Sequence, residues 1–232
     1  MNDMNRSRLA EIFSLAPVIP VITIADAAQA LPLARALVAG GLRAIEITLR
    51  TEAAVDAART IIAEVPEAVV GIGTVLAHGD LERASKLGAK FALSPGVTAD
   101  LLKAAASSDV PFAPGVQTAS DLISCVVNGF DIVKFFPAVP AGGLAALNAL
   151  GGPFPQVRYC PTGGISAANA AEWLAHPKVV AVGGSWIAPA SDVNAGAWST
   201  IEQRARAAAS LRSGVSRGKV DISGNAIACE PC

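Results

Sequence analysis

The sequence has few charged residues and no long apolar run, and each shortage excludes a class of protein. Only 16% of the 232 residues are charged and the formal net charge is −1. The chain therefore has no excess of positive charge that would favour binding to nucleic acid or to an anionic membrane surface. Glycine, proline and charged residues interrupt every apolar run before it reaches the roughly 20 residues that a membrane-spanning helix needs. Because hydrophobic residues nevertheless make up 52% of the chain, we expect a soluble α/β fold whose sheet is buried on both faces.

The shortage of histidine also argues against a metal site. The two histidines, His78 and His176, lie far apart, and neither has metal-ligand spacing to another residue. A metal-dependent mechanism is therefore disfavoured, and neither a metal nor another cofactor is predicted.

Cysteine usage and the N-terminus predict a cytoplasmic protein. Residues 1–15 have the charge pattern of a helix and not that of a signal peptide. Two of the four cysteines lie in expected core elements and two in a C-E-P-C tail: Cys125, Cys160, Cys229 and Cys232. Disulfide frameworks belong to small secreted domains, so this usage predicts a reducing compartment. The isolated C-x-x-C pair favours a disordered tail over a zinc or redox site.

One sequence pattern repeats from about residue 17 to residue 188: a short apolar run, a turn, and an alanine-rich segment of helical periodicity. Eight runs are expected to be strands: Val18–Ile24, Arg43–Leu49, Val69–Thr74, Phe91–Ser94, Phe112–Pro114, Ile132–Phe136, Val157–Pro161 and Val179–Gly183. Such alternation predicts a parallel sheet, and eight units close a (β/α)8 barrel, the TIM-barrel fold. The alternative, a doubly wound open sheet, would have a G-x-G-x-x-G turn, and none follows the first run. We predict one barrel domain with an N-terminal helix over residues 1–211 and a poorly ordered tail over residues 212–232.

Two of these strands carry charged residues where a core is expected. In R-A-I-E-I-T-L-R, period-two alternation points Glu46, Thr48 and Arg50 towards the barrel interior. In D-I-V-K-F-F-P, Lys134 stands among apolar neighbours. Burial disfavours the charged form of a lysine, and this is how a Schiff-base amine is activated near neutral pH.

The second and sixth strands of an eight-stranded barrel lie opposite each other, so Glu46 and Lys134 can meet across the lumen. A carboxylate that faces an amine can move protons around a covalent imine. We therefore predict Lys134 as a nucleophile and Glu46 as its proton shuttle. Two alternatives stay open: a structural ion pair between Glu46 and Arg50, and a lysine whose amine reaches the solvent at the rim.

Two glycine-rich turns, C-P-T-G-G-I-S and V-G-G-S-W, follow the last two runs. Barrels often bind phosphate with these two loops, through backbone N–H groups and a helix N-terminus. Four glycines permit close backbone approach and two serines can add hydroxyl donors: Gly163, Gly164, Gly183, Gly184, Ser166 and Ser185. The pair of turns predicts a phosphorylated substrate, and ordinary tight turns are the alternative.

Nine segments together resemble one family, the 2-keto-3-deoxy-6-phosphogluconate (KDPG) aldolases, which are grouped with the 4-hydroxy-2-oxoglutarate (KHG) aldolases. The segments are P-V-I-P-V, G-L-R-A-I-E-I-T-L-R-T, V-G-I-G-T-V, F-A-L-S-P-G, P-G-V, V-K-F-F-P-A, G-G-P-F, C-P-T-G-G-I and G-G-S-W. They run in order from about Pro17 to Pro189. The continuation of the first strand as V-I-T-I and the tail beyond about Leu211 depart from the family pattern.

The resemblance implies a homotrimeric barrel that cleaves KDPG to pyruvate and D-glyceraldehyde 3-phosphate in the Entner–Doudoroff route. It implies Lys134 as the Schiff-base lysine and Glu46 as the general acid and base. The remaining implied positions are Arg50 and Thr74 for the pyruvyl carboxylate, Pro95 and Phe136 beside the pyruvyl group, and Thr162, Gly163, Gly164, Gly184 and Ser185 for the phosphate. Rival substrates are 4-hydroxy-2-oxoglutarate and the galactonate epimer. Rivals from other classes are a binding-only barrel and a metal-dependent aldolase.

Overall fold

The computed structural model describes residues 1–212 as a set of short parallel strands alternating with helices. The strands are β1 (Val18–Ile22), β2 (Ala44–Thr48), β3 (Val69–Gly73), β4 (Phe91–Leu93), β5 (Phe112–Ala113), β6 (Gly115–Val116), β7 (Ile132–Phe135), β8 (Arg158–Pro161) and β9 (Val182–Gly184). The C-E-P-C tail with Cys229 and Cys232 lies outside the described residues, so what was predicted for it stays a prediction.

The helices lie between the strands and before and after them. They are α1 (Asp3–Ser14), α2 (Ala30–Ala39), α3 (Ala54–Glu64), α4 (His78–Leu87), α5 (Ala99–Ala106), α6 (Ala119–Val127), α7 (Gly143–Gly151), α8 (Ala170–Ala175), α9 (Ala190–Asn194) and α10 (Trp198–Ala209). Side chains cap the N-termini of α1, α5 and α6. At α6, the Thr118 hydroxyl accepts from the Asp121 N–H, and the Asp121 carboxylate accepts from the Thr118 N–H. Across residues 1–212, no helix is both long and apolar enough to cross a membrane.

All strand pairs are parallel, and they form two sheets, with the orders β5-β4-β3-β2-β1-β9 and β6-β7-β8. The prediction of a parallel α/β fold is confirmed. Two isolated parallel bridges, Tyr159↔Val179 and Thr162↔Gly183, link the end strands of the two sheets. One continuous eight-stranded ladder is not present among the described residues.

The fifth predicted run, Phe112–Pro114, lies where the chain passes from one sheet to the other. Pro114 lies between β5, which pairs with β4, and β6, which pairs with β7. Proline has no N–H to donate, while its carbonyl accepts from the Lys134 N–H at 2.8 Å. The expected single strand is therefore two short ones.

Both faces of the strands are buried. Successive side chains of a strand point to opposite faces, so each strand contributes to two cores. Ile45 and Ile47 of β2 face the larger core, which lies between strands and helices. Ala44 faces a smaller core with Leu9 and Phe13 of α1. We call this second side the inner face, and Glu46 lies on it by alternation.

Helix α1 covers the amino-terminal ends of the strands. Asn5, which is buried, donates to the carbonyl of Ser108 ahead of β5 at 2.8 Å, and Arg6 forms an ion pair with Asp131 ahead of β7. Because α1 closes this end of the inner face, a site on that face opens at the carboxyl ends of the strands.

Candidate active site

The inner face brings together the amine of Lys134 on β7 and the carboxylate of Glu46 on β2. Nζ lies 2.9 Å from Oε1, although the residues are 88 positions apart and belong to different sheets. Lys134 is 3% exposed and Glu46 1% exposed. The carboxylate thus pairs with Lys134 and not with Arg50, and the amine stays inside instead of reaching the solvent.

The carboxylate of Glu46 occupies space that β3 leaves open. A Cβ on Gly73 would overlap that carboxylate, with Cδ 2.7 Å away. Two residues earlier on the same face, a Cβ on Gly71 would overlap the ring of Phe91. Gly71 and Gly73 are not among the predicted site residues, although their spacing in V-G-I-G-T is a signal for two inner-face positions without side chains.

Replacing Gly73 with alanine is expected to lower kcat about ten- to hundredfold, because the methyl group would push Glu46 away from Lys134 and small misplacements of catalytic groups are costly. The change is checked by steady-state kinetics together with the thermal unfolding midpoint. Gly79→Ala is the matched control, because a Cβ there meets nothing within 4 Å. A Gly73→Ala enzyme with unchanged kcat would show that the close approach does not position the carboxylate.

Arg50 and Thr74 meet at the carboxyl ends of β2 and β3. The Arg50 Nε donates to the Thr74 hydroxyl at 3.0 Å. Thr74 has φ 59°, in the left-handed region that a β-branched residue rarely adopts, and such strain is typical of functional positions. The expectation that Arg50 points into the interior is wrong. β2 ends at Thr48, and the Arg50 N–H turns back to the Thr48 carbonyl at 2.8 Å, so Arg50 is exposed at the rim.

Phe136 lies near the amine of the buried pair, and Pro95 lies beside Gly115, which is in register with Lys134. The Lys134 Nζ lies 5.5 Å from the centroid of the Phe136 ring. Pro95 is half-buried, and its backbone approaches Gly115 so closely that a Cβ there would overlap it. Apolar surface at these positions limits the water around the amine.

The two glycine-rich turns lie side by side. Thr162, which follows β8, bridges to Gly183 of β9, and a Cβ on Gly183 would overlap the Thr162 hydroxyl. Gly163 and Gly164 have φ of 96° and 78°, a conformation that favours glycine. A Cβ on Gly184 would overlap the ring of Trp186.

Asn169 holds the first of these turns and was not foreseen. Its side-chain oxygen accepts from the Ser166 N–H at 2.8 Å, and its amide nitrogen donates to the Gly164 carbonyl at 3.1 Å. The Ser166 N–H is therefore already used inside the turn. Ser185, in the second turn, is exposed.

Comparison with known proteins identifies one family. The family model described as KDPG and KHG aldolase matches residues 9–204. The KHG/KDPG aldolase of Escherichia coli strain K12 is 51% identical over 197 residues, which cover 85% of this chain and 92% of that protein. The 2-dehydro-3-deoxy-phosphogluconate aldolase of Pseudoalteromonas atlantica is 46% identical over 205 residues, covering 88% and 95%.

A solved structure is similar over the same region. The KDPG aldolase of Legionella pneumophila, with pyruvate captured at low pH as a covalent carbinolamine intermediate, has 44% identity and a TM-score of 0.84, covering 86% of this chain and 97% of that one. Residues 9–204, which the family model matches, include both strands of the buried pair and both glycine-rich turns. The chain belongs to the KDPG and KHG aldolase family.

Proposed function

We propose that the chain is a Schiff-base (class I) aldolase that cleaves KDPG to pyruvate and D-glyceraldehyde 3-phosphate, the aldol cleavage of the Entner–Doudoroff route. The observation that carries the proposal is the buried contact of 2.9 Å between the Lys134 amine and the Glu46 carboxylate. Relatives named for this reaction, at 44% to 51% identity, support it.

In the first step, Lys134 attacks the carbonyl carbon at C2 of the sugar acid. A buried lysine next to a carboxylate can lose its proton to that carboxylate, which leaves the neutral amine as nucleophile. After the attack, one proton passes from the nitrogen to the oxygen and gives the carbinolamine. Glu46 then returns its proton to the carbinolamine hydroxyl, which leaves as water and yields the iminium.

In the second step, the iminium withdraws the electrons of the C3–C4 bond. Glu46, through a water molecule, takes the proton of the 4-hydroxyl, the bond breaks, and glyceraldehyde 3-phosphate leaves an enamine on Lys134. Glu46 gives the proton to C3, and hydrolysis of the resulting iminium frees pyruvate and the amine. General acid–base assistance of this kind is worth about 10²–10⁴-fold in rate.

The remaining residues would bind the two charged ends of the substrate. Arg50 and Thr74 lie at the rim beside β2 and suit the carboxylate at C1. Pro95 and Phe136 would border the pyruvyl carbons. The phosphate would lie against the two adjacent glycine-rich turns, with Thr162, Gly163, Gly164, Gly184 and Ser185 as its partners.

The same proposal includes the finer architecture. Residues 1–211 would form one domain, a closed (β/α)8 barrel, and the bridge from Thr162 to Gly183 with the switch of sheets at Pro114 supports closure. A homotrimer would bury apolar side chains of α6 that are exposed in the single chain, where Ile123 is 53% and Val127 79% exposed. The cytoplasmic location stays a prediction.

A second candidate substrate is 4-hydroxy-2-oxoglutarate, which the same chemistry would split to pyruvate and glyoxylate. It is favoured by the combined name KHG/KDPG aldolase of the Escherichia coli relative at 51% identity. The two substrates share C1 to C4 and differ beyond C4, where one has a hydroxyl and a phosphate and the other a carboxylate.

The proposal is tested by incubating the protein with pyruvate and borohydride, followed by intact-mass analysis and peptide mapping. We expect one reduced pyruvate adduct at Lys134, and cleavage of KDPG that survives a chelator. Burial raises the pKa of the Cys125 thiol to about 12, so this thiol does not compete as a nucleophile. An active enzyme that forms no adduct would contradict the proposal. Loss of activity with the chelator would indicate a metal-dependent aldolase. An adduct without any turnover of KDPG would indicate a binding protein.

A further inference from the structure

The end of β1 lies between the two halves of the proposed site. In the strand order, β1 is flanked by β2, which carries Glu46, and by β9, which leads into the second glycine-rich turn. A sugar acid with its carboxylate at Arg50 and Thr74, beside β2 and β3, and its phosphate at that turn would span the carboxyl end of β1. The side chain at this point is Thr23, the first residue after the strand.

Thr23 lies one layer above the reacting groups. Val21 is in register with Glu46 and Ile22 with Ile47, so Thr23 is opposite Thr48 on the inner face. Two residues of a parallel strand rise about 6.6 Å. Thr23 therefore lies nearer than Glu46 to the open carboxyl end of the strands, the side on which the substrate carbons beyond C4 would lie.

One order of donation between the Thr23 and Thr48 hydroxyl groups satisfies both contacts of Thr48. Thr48 is fully buried, and its hydroxyl donates to the Ile22 carbonyl at 3.0 Å. The two threonine oxygens are 2.9 Å apart. Since a hydroxyl has one hydrogen and that of Thr48 is used on a carbonyl, Thr23 is the donor in this contact.

The oxygen of Thr23 consequently faces a ligand only as an acceptor. Its hydrogen is bound to Thr48, its side chain is exposed at the rim, and within residues 1–212 its oxygen has no other hydrogen-bond partner. An oxygen in this state can accept from a hydroxyl group. Donation to a carboxylate or phosphate oxygen would break its hydrogen bond to Thr48, and while that bond is kept its lone pairs repel either anion.

We propose that Thr23 is a specificity-determining residue whose oxygen accepts a hydrogen bond from the 5-hydroxyl of the bound sugar acid. The inference rests on the proposed function and narrows it. Thr23, oriented by Thr48, favours a substrate with a hydroxyl at C5, such as KDPG. It disfavours 4-hydroxy-2-oxoglutarate, which has a carboxylate there.

The test uses the reverse reaction, in which pyruvate condenses with one of three aldehydes. Glyceraldehyde 3-phosphate supplies the future 5-hydroxyl, 3-oxopropyl phosphate lacks it, and glyoxylate has a carboxylate in its place. We expect Thr23→Val to lower kcat/KM for glyceraldehyde 3-phosphate about three- to tenfold and to leave kcat/KM for 3-oxopropyl phosphate near the wild-type value. The value for glyoxylate should rise about threefold, because the oxygen that repels its carboxylate is gone. Thr23→Ser, which keeps the hydroxyl, should restore the preference.

A second variant tests the order of donation. Thr48→Val keeps the shape of a buried side chain but removes the acceptor for the Thr23 hydrogen, which then becomes available to a carboxylate. We expect kcat/KM for glyoxylate to rise about threefold relative to that for glyceraldehyde 3-phosphate. A merely structural role of Thr48 would lower both values together.

The outcomes separate the inference from the function. Equal losses for glyceraldehyde 3-phosphate and 3-oxopropyl phosphate in Thr23→Val, or no loss for either, would overturn the role of Thr23 while the aldolase proposal stands. A wild-type protein that forms no pyruvate adduct and condenses none of the aldehydes would overturn both.

Discussion

Replacing Lys134 with alanine is expected to abolish the reduced pyruvate adduct and to lower turnover by about 10⁴-fold or more, the scale seen when a covalent nucleophile is removed. The reason is that Lys134 supplies the amine that contacts Glu46 on the inner face. Without the imine, no electron sink exists for the C3–C4 bond. Intact-mass analysis after borohydride treatment and the rate of pyruvate release check the two halves of the prediction.

Stability has to be separated from chemistry in this variant. Alanine leaves the Glu46 carboxylate buried without its cation, and breaking a buried ion pair costs about 3–5 kcal/mol. Lys134→Gln is the better-matched change, because its amide can still donate to the carboxylate but cannot form an imine. Both variants are compared by thermal unfolding.

A surface lysine supplies the control for the labelling. Lys86 on α4 is exposed, and its Nζ lies 3.9 Å from Oε2 of Glu82. The Lys86→Ala protein should form the adduct and turn over substrate as the wild type does. A full yield of adduct in a folded Lys134→Gln protein would mean that another amine is the nucleophile.

The contact between Lys134 and Glu46 could be predicted from sequence because two simple rules fix it. Alternation decides which face of a strand a residue occupies, and Ala44 and Ile132, two residues earlier on the same strands, do lie in the inner core. The positions of two strands on opposite sides of a barrel then bring the side chains together. Neither rule depends on the detail of the loops.

What sequence reasoning could not predict depends on where strands end. Alternation stops when the chain leaves the ladder, and nothing in I-T-L-R shows that the chain turns at Thr48, so Arg50 was expected inside. The break at Pro114 is of the same kind. A proline predicts a lost donor but does not say that the two halves of the run pair with different sheets.

Space is the other quantity that a sequence pattern does not contain. The need for glycine at position 73 becomes visible only when the carboxylate of Glu46 is found beside it. The turn that Asn169 stabilises depends likewise on the path of the backbone. Resemblance to a family identifies such positions by matching motifs, and the structure supplies the physical reason for them.

Replacing Glu46 with glutamine is expected to separate imine formation from proton transfer. Glutamine has nearly the same shape, and its carbonyl oxygen can still accept from the Lys134 amine. The reduced adduct should therefore still form on long incubation, although more slowly, because no carboxylate assists the proton transfers of imine formation. Turnover should fall about 10²–10⁴-fold, because an amide cannot take the proton of the 4-hydroxyl or return one to C3.

Exchange of the pyruvate methyl protons with deuterium oxide measures the proton shuttle directly, because it requires only the imine and the enamine. In Glu46→Gln this exchange should slow by a factor similar to that of cleavage. Glu82→Gln, on the exposed face of α4, is the matched control and should leave both rates unchanged.

If exchange in Glu46→Gln stayed at the wild-type rate while cleavage fell, Glu46 would act only on the 4-hydroxyl, and a different group would have to move the proton at C3. If neither rate changed, the buried pair would be a structural ion pair, and the proton shuttle would have to be sought elsewhere at the carboxyl ends of the strands.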